Sequence, residues 1–184
     1  MSDRGNLRAY LDEAWGHLLR GVADKHAPAR HPTLATVSPE GWPEARTVVL
    51  RAARRFAGVL EVHTDSRTAK MRALQAAPRA ALHVWIPRAQ LQIRAQTQVQ
   101  ILTGDTVEER WAKVPEGARV SYGTDPHPGT PIARVDAYNT PGARARFAVL
   151  CCEISTLDVL HLGASHRRAV FDRRDGFKGH WVAP

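Results

Sequence analysis

The residues whose types and spacing could do chemistry are cations and hydroxyls in two neighbouring stretches. The first is Ala45-Arg46-Thr47-Val48-Val49-Leu50-Arg51, a β-branched run with a guanidinium near each end. The second, Val62-His63-Thr64-Asp65-Ser66-Arg67-Thr68-Ala69-Lys70, runs from a strand into the start of a helix. A phosphate monoester is held by several charge-assisted donors, which Arg supplies as a planar fork and Lys as a point charge. A helix N-terminus adds free backbone N–H groups and a favourable dipole. Thr64, Asp65 and Ser66 are the expected N-cap residues, with Arg67, Thr68 and Lys70 in the first turn. Cations are disfavoured at that end of a helix, where the dipole is positive. Arg67, Lys70 and Arg72 gathered there make sense if an anion sits among them. The two stretches therefore read as a phosphate clamp; the alternative is a strand with charged ends followed by a solvated basic helix.

Other chemistries find less support. There is no Gly-rich dinucleotide loop or P-loop, no G-x-S-x-G, and the nine histidines lack metal-ligand spacing. His63 and His166 stand out only because they flank the proposed contacts. Cys151 and Cys152 are adjacent in a strand-like run, so their side chains point to opposite faces and read as reduced packing residues.

The elements that must position the clamp follow from periodicity. Leu7, Tyr10, Leu11, Ala14, Trp15, Leu18 and Leu19 recur at helical spacing, predicting an amphipathic helix over residues 7–22 whose stripe is core or interface. A polar linker follows to Pro32, then strands over 33–37 and through Arg46, joined by the turn Ser38-Pro39-Glu40-Gly41. Further strands are expected over 58–64, 80–86, 91–102, 147–162, 167–173 and 177–182, with short helices over 69–77 and from an Asp105 N-cap to Lys113. The last hairpin is expected to turn Arg167 or Arg168 inward. Residues 121–142 form the longest loop, rich in Gly and Pro. Many short strands with few helices predict a mainly β fold, a small antiparallel barrel with flanking short helices.

With 184 residues the chain is expected to form one domain: an N-terminal helix and linker over 1–31 and a barrel over 32–184. No stretch approaches the roughly 20 apolar residues of a membrane span, and no apolar signal region opens the chain, so the expectation is a cytoplasmic protein without a membrane partner. A net charge of +8 admits any polyanion and selects none.

Arg46 to Arg51, the His63 to Lys70 block, the Leu91-Gln92-Ile93 strand and the closing His166 to Arg173 and Gly176 to Pro184 segments together resemble the pyridoxamine 5'-phosphate oxidase-related flavoproteins. The resemblance spans residues from about Pro32 to Pro184. It implies an FMN-binding split barrel, a homodimer, and one flavin mononucleotide (FMN) at each of two interface sites. Residue by residue, Arg46 and Arg51 match two strand-end cations, the second more usually Lys. Thr64 matches a hydroxyl contact to the flavin phosphate, Arg67, Thr68 and Lys70 match an Arg-Ser-x-Lys phosphate element, and Gln92 matches a glutamine reaching the cofactor from the neighbouring subunit. Arg168 matches a late arginine near the ring, where it would stabilise the anionic reduced flavin, and Val48 and Val49 would lie beneath the ring.

The chain departs from the oxidase where that enzyme holds its vitamin substrate. Ala164 stands at the Arg of an Arg-x-His pair of which only His166 remains, and Arg110-Trp111-Ala112-Lys113 followed by Ala118 replaces a Tyr, Arg and Ser set. Leu160-His161 stands where a tryptophan is expected before the last hairpin. The expected function is an FMN-dependent oxidoreductase with a small-molecule substrate or electron donor. A non-catalytic flavin-binding or flavin-sensing protein is the alternative. A nucleic-acid-binding barrel using Arg54, Arg55, Arg72, Arg79 and Arg88 is less supported, because no aromatic residues interleave that basic surface.

Overall fold

The computed structural model describes residues 5–184. Its elements are helix α1 (Leu7–Ala23), strands β1 (Thr33–Val37), β2 (Pro43–Thr47), β3 (Leu50–Arg54) and β4 (Val59–Asp65), helix α2 (Ala69–Ala76), and strands β5 (Arg79–Ile86) and β6 (Leu91–Leu102). Helices α3 (Glu108–Ala112) and α4 (Glu116–Arg119) follow, then strands β7 (Phe147–His161), β8 (Arg167–Asp172) and β9 (His180–Val182). Neighbouring strands pair antiparallel in the order β2-β1-β5-β6-β7-β4-β3, with β8 and β9 added beyond β7.

The expected single run over 45–51 is two strands. β2 and β3 pair at opposite ends of the sheet order, separated only by Val48 and Val49. Three residue steps span at most about 11 Å, so the sheet must curl until its two ends meet. Inner-facing Leu34, Leu50, Leu60, Val62, Leu82 and Ile93 accordingly share one core, which α1 closes with Tyr10, Leu11, Ala14, Trp15 and Leu18. The β1–β2 ladder runs one step past Thr33 and Thr47, where the Val48 N–H donates to the Pro32 carbonyl at 2.9 Å, and it ends there because Pro32 has no N–H to return.

β7 explains how two faces of the sheet are served by one strand. Ala148, Leu150, Cys152 and Ile154 face the main core, while Phe147, Val149 and Cys151 face a second cluster built on Val107, Trp111, Val114 and Tyr122. Opposite Gln96 and Thr97 the register jumps from Thr156 to Ile154, leaving Ser155 as a bulge. Beyond it the parity inverts: Leu157 and Val159 face the core and Asp158 faces out, where it pairs with Arg94. Both cysteines are free, on opposite faces as expected.

Several boundaries differ from the sequence reading. Asp105 is not an N-cap but lies inside a 3-10 turn over Gly104–Val107 that precedes α3. β9 begins at His180 rather than Phe177, because Gly176 and Phe177 adopt positive φ and end the pairing. α4 was not anticipated. Arg167, with Ala169 and Phe171, takes the inward row of β8, its guanidinium 5.1 Å over the Tyr10 ring, while Arg168 faces outward. Among the described residues no helix is long and apolar enough to cross a membrane, and no group of three His, Cys, Asp or Glu could hold a metal.

Candidate functional site

Strand β4 divides the site by parity. Thr64 continues the inward row of Leu60 and Val62, while Glu61, His63 and Asp65 face the opposite side. On Thr64's side, Lys70 of α2 donates from Nζ to Thr64 Oγ1 at 3.0 Å, and Thr68 Oγ1 lies 3.4 Å from Thr64 Oγ1. Burial pushes the Lys70 ammonium below its ordinary pKa, and the positive charge of Arg46 pushes it further. Arg46 reaches this region from β2, where its guanidinium donates to Thr36 Oγ1 at 2.6 Å and pairs with Glu44 at 2.6 Å. The Asp65 carboxylate opposes this shift but does not cancel it, so a half-buried ammonium beside a like charge and two hydroxyls would be further stabilised by an anion.

The helix cap is placed differently from the expectation. Thr68, not Thr64, Asp65 or Ser66, is the N-cap of α2, and its hydroxyl donates back to the Asp65 carbonyl at 3.0 Å instead of capping the helix. Asp65 instead grips Arg67, accepting from its Nε at 3.2 Å, its terminal nitrogen at 3.0 Å and its backbone N–H at 2.8 Å. Gly123 N–H completes the carboxylate at 2.7 Å, and Arg67 also donates to the Thr124 carbonyl at 2.8 Å. Burial alone would raise the Asp65 pKa; these donors outweigh it and hold the carboxyl below its usual range. Arg67 is thereby turned to the far side of β4, away from the Lys70 group.

Arg51 also lies on that far side. It lines a cavity of ≈ 470 Å³ under α3, together with Arg30, Arg54, Arg110 and Lys113. Burial raises the nearby Tyr122 hydroxyl pKa, an effect the Arg51 guanidinium opposes. Glu61 on the cavity wall is 4% exposed and binds Arg54 at 2.7 Å, His63 at 3.2 Å and Arg110 at 3.3 Å. Desolvation raises its pKa, but these partners prevail and bring it to about 2.

Gln92 and Arg168 occupy the outward face of the sheet, in one row through Leu160. Gln92 meets His83 at 3.3 Å, and Arg168 grips the buried Asp158 through bonds of 3.0 and 2.8 Å, a carboxylate it shares with Arg94 at 2.5 Å. Among the described residues, no hydrogen bond joins this row to the Lys70 group.

The structure therefore joins Thr64, Thr68 and Lys70 by close polar contacts with Arg46 near enough to act on the Lys70 charge, places Arg67 and Arg51 across β4, leaves Val48 and Val49 between strands, and sets Gln92 and Arg168 on the outer face. Sequence reasoning missed Glu44 and Asp158, which hold Arg46 and Arg168, and Glu61, which holds Arg54 and Arg110, and it gave Asp65 as a helix cap rather than as the partner of Arg67. The alternation Glu61-x-His63-x-Asp65 was the available signal, since residues two apart on a strand share a face.

Comparison with known proteins bears on this geometry. The family model for the pyridoxamine 5'-phosphate oxidase, FMN-binding domain, matches residues 12–103, half of the 184-residue chain. The pyridoxine/pyridoxamine 5'-phosphate oxidase of Mycolicibacterium paratuberculosis is 34% identical over 122 residues, covering 60% of this chain and 52% of that protein. That of Xanthomonas oryzae is 37% identical over 91 residues, covering 48% of this chain and 45% of that protein. The chain thus spans about half the length of the curated relatives it matches. A pyridoxamine 5'-phosphate oxidase-related, FMN-binding protein from Nostoc punctiforme superposes with a TM-score of 0.76 at 26% identity, covering 94% of this chain and 96% of that one. PhzG from Burkholderia lata, solved in complex with tetrahydrophenazine-1-carboxylic acid, shares the fold at TM-score 0.69 and 16% identity, covering 97% and 90% of the two chains. The barrel split between β2 and β3, the extent of the family match and the Nostoc likeness agree: the chain belongs to the pyridoxamine 5'-phosphate oxidase FMN-binding domain family, with the split-barrel fold of its structural relatives.

Proposed function

We propose that the chain is an FMN-binding oxidoreductase that works as a homodimer of single-domain subunits, with the flavin phosphate held by Arg46, Thr64, Thr68 and Lys70. The observation that carries this reading is Lys70: a half-buried ammonium whose charge is disfavoured by desolvation and by Arg46, and which a phosphate would stabilise. The donor set fits the group, since Lys70 and the Thr64 and Thr68 hydroxyls would supply charge-assisted and neutral hydrogen bonds to one dianion, with the Glu44-paired Arg46 guanidinium beside them. Bound there, the flavin would supply electron and hydride transfer, which no side chain provides. The chain's own part is to hold and orient it. Arg67 acts through Asp65, fixing the turn from which α2 departs, rather than as a direct phosphate ligand. Val48 and Val49, at the split between strands, and Gln92 and Arg168, on the outward face, are assigned to the ring, the latter two across the dimer interface. The substrate pair of the oxidase is incomplete at Ala164, so the reading stops at an oxidoreductase of this type and does not extend to pyridoxamine phosphate.

The test is a visible spectrum of the purified protein after FMN is added and the excess removed by gel filtration. A two-band flavin spectrum co-eluting at dimer size is expected. A protein that emerges colourless, or retains flavin as a monomer, overturns the corresponding part of the proposal. Bound flavin that neither NADH nor NADPH reduces would favour the non-catalytic flavin-binding reading.

A further inference from the structure

The outward face of the sheet carries a cluster of three charges, Arg94, Asp158 and Arg168, that the phosphate site does not use. Asp158 is 5% exposed, and desolvation alone would raise its pKa. The two guanidinium groups outweigh that effect and keep the carboxyl ionised, below its usual range. Arg168 grips it as a fork, from Nε at 3.0 Å and a terminal nitrogen at 2.8 Å, and Arg94 adds a third bond at 2.5 Å. Sheet register builds the cluster. Arg94 of β6 stands directly opposite Asp158, and Arg168 of β8 stands opposite Leu160, one same-face step along β7. In an unbulged β7, Asp158 would share the parity of Ile154 and point into the main core. The Ser155 bulge thus sets one carboxylate between two arginines on the outer face.

This arrangement does more than tie strands. The fork uses Nε and one terminal nitrogen of Arg168, and leaves its other N–H groups without a partner among the described residues. A guanidinium held in this way has a fixed plane, free donors, and a charge offset by the carboxylate behind it. We propose that Asp158 is a positioning residue for the flavin site: it fixes the Arg168 guanidinium and offsets its charge, so that the Arg94, Asp158 and Arg168 cluster sets the reduction potential of the bound flavin. The inference rests on the reading above that assigns Arg168 to the ring. Two-electron reduction with uptake of one proton leaves one negative charge on the flavin, and charges near its ring nitrogens tune that step. Arg168 favours the reduced state, Asp158 opposes it, and Arg94 restores part of the difference.

Titration of the FMN-loaded protein with dithionite against a reference dye reads the potential without any substrate. Asp158→Asn should favour reduction by roughly tenfold in the equilibrium constant, which is about 30 mV for a two-electron couple. Arg94→Gln should shift the potential the opposite way, and Arg168→Gln should shift it further in that same direction. The opposed signs separate a charge effect from a structural one. A carboxylate that only held Arg168 in place would send Asp158→Asn in the direction of Arg168→Gln, and that result overturns the proposal. So does an unchanged potential in Asp158→Asn or in Arg168→Gln. Arg94 is 44% exposed at its side chain, which keeps the test usable if the Asp158 variant does not fold, and a potential that fails to fall in Arg94→Gln also overturns the idea. A wild-type protein that retains no FMN overturns the flavin reading and this inference together, whereas retained flavin with unmoved potentials removes this inference alone.

Discussion

Lys70 and Arg67 look equivalent in the sequence, two cations three residues apart at a helix start, and the structure separates them. Lys70 is a desolvated ammonium bonded only to a hydroxyl, whereas Arg67 is gripped by the Asp65 carboxylate and the Thr124 carbonyl. Lys70→Ala should therefore weaken FMN binding by about 1.5–3 kcal/mol, the scale of a charge-assisted hydrogen bond, with little change in the melting temperature of the flavin-free protein. Arg67→Ala should do the reverse: a smaller loss of affinity, and a lower melting temperature because Asp65 is left buried and under-paired. Fluorescence titration with FMN and thermal melts of both variants check this, and equal behaviour would remove the distinction. The cations themselves were legible because residue type alone marks a phosphate site. Their pairing was not. Asp65 reads as a helix cap in sequence, and only the three-dimensional path that brings Gly123 N–H within 2.7 Å shows it to be a clamp.

Among the elements, α1 and the strands announced themselves by period, and the interruptions did not. Helix α1 was predicted within a residue of its observed end because its apolar stripe continues unbroken, and Thr33–Val37 and Leu91–Leu102 were found at their expected limits. The β2–β3 break and the Ser155 bulge carry no residue signature, since Val48, Val49, Ser155 and Thr156 are all acceptable in a continuous strand. Their positions follow instead from closing the sheet. The crossing of α1 over the segment after it gives a paired test. A Cβ at Gly16 would meet nothing within 4 Å, while one at Gly21 would lie 2.6 Å from the backbone carbon of Ala29. Gly16→Ala should stabilise the fold by about 0.5–1 kcal/mol, the helical cost of glycine. Gly21→Ala should destabilise it by roughly 1–3 kcal/mol, because two backbones must part. Chemical denaturation of both variants decides it; a stabilising Gly21→Ala would show that the crossing is looser than the packing implies.

At the scale of the whole molecule, three buried carboxylates tie the layers of a strongly basic chain. Glu61 joins β4 to β3 and α3, Asp65 joins β4 to the segment at Gly123, and Asp158 joins β7 to β6 and β8. Each has its pKa lowered in the folded state, Glu61 to about 2. A carboxyl with a depressed folded pKa binds fewer protons folded than unfolded, so its contribution is complete above the unfolded value and is lost as pH falls toward the folded one. For Glu61 that window runs from its ordinary 4.5 down to about 2. The chain carries +8 at neutral pH, so every proton taken up also adds to self-repulsion, and both effects act in the same direction. The protein should keep its denaturation midpoint through mildly acidic conditions and lose stability steeply below about pH 4.5, with α3 and the Gly123 segment exchanging their amides before the barrel strands. Glu61→Gln separates the two contributions. Removing the charge should cost roughly 1–3 kcal/mol at neutral pH, as expected when a buried hydrogen-bonded ion loses its partners, and should flatten the acid limb, because one of the groups that generates it no longer titrates. An acid limb of unchanged steepness in that variant would assign the acid sensitivity to net charge alone and not to the tethering of α3 through Glu61.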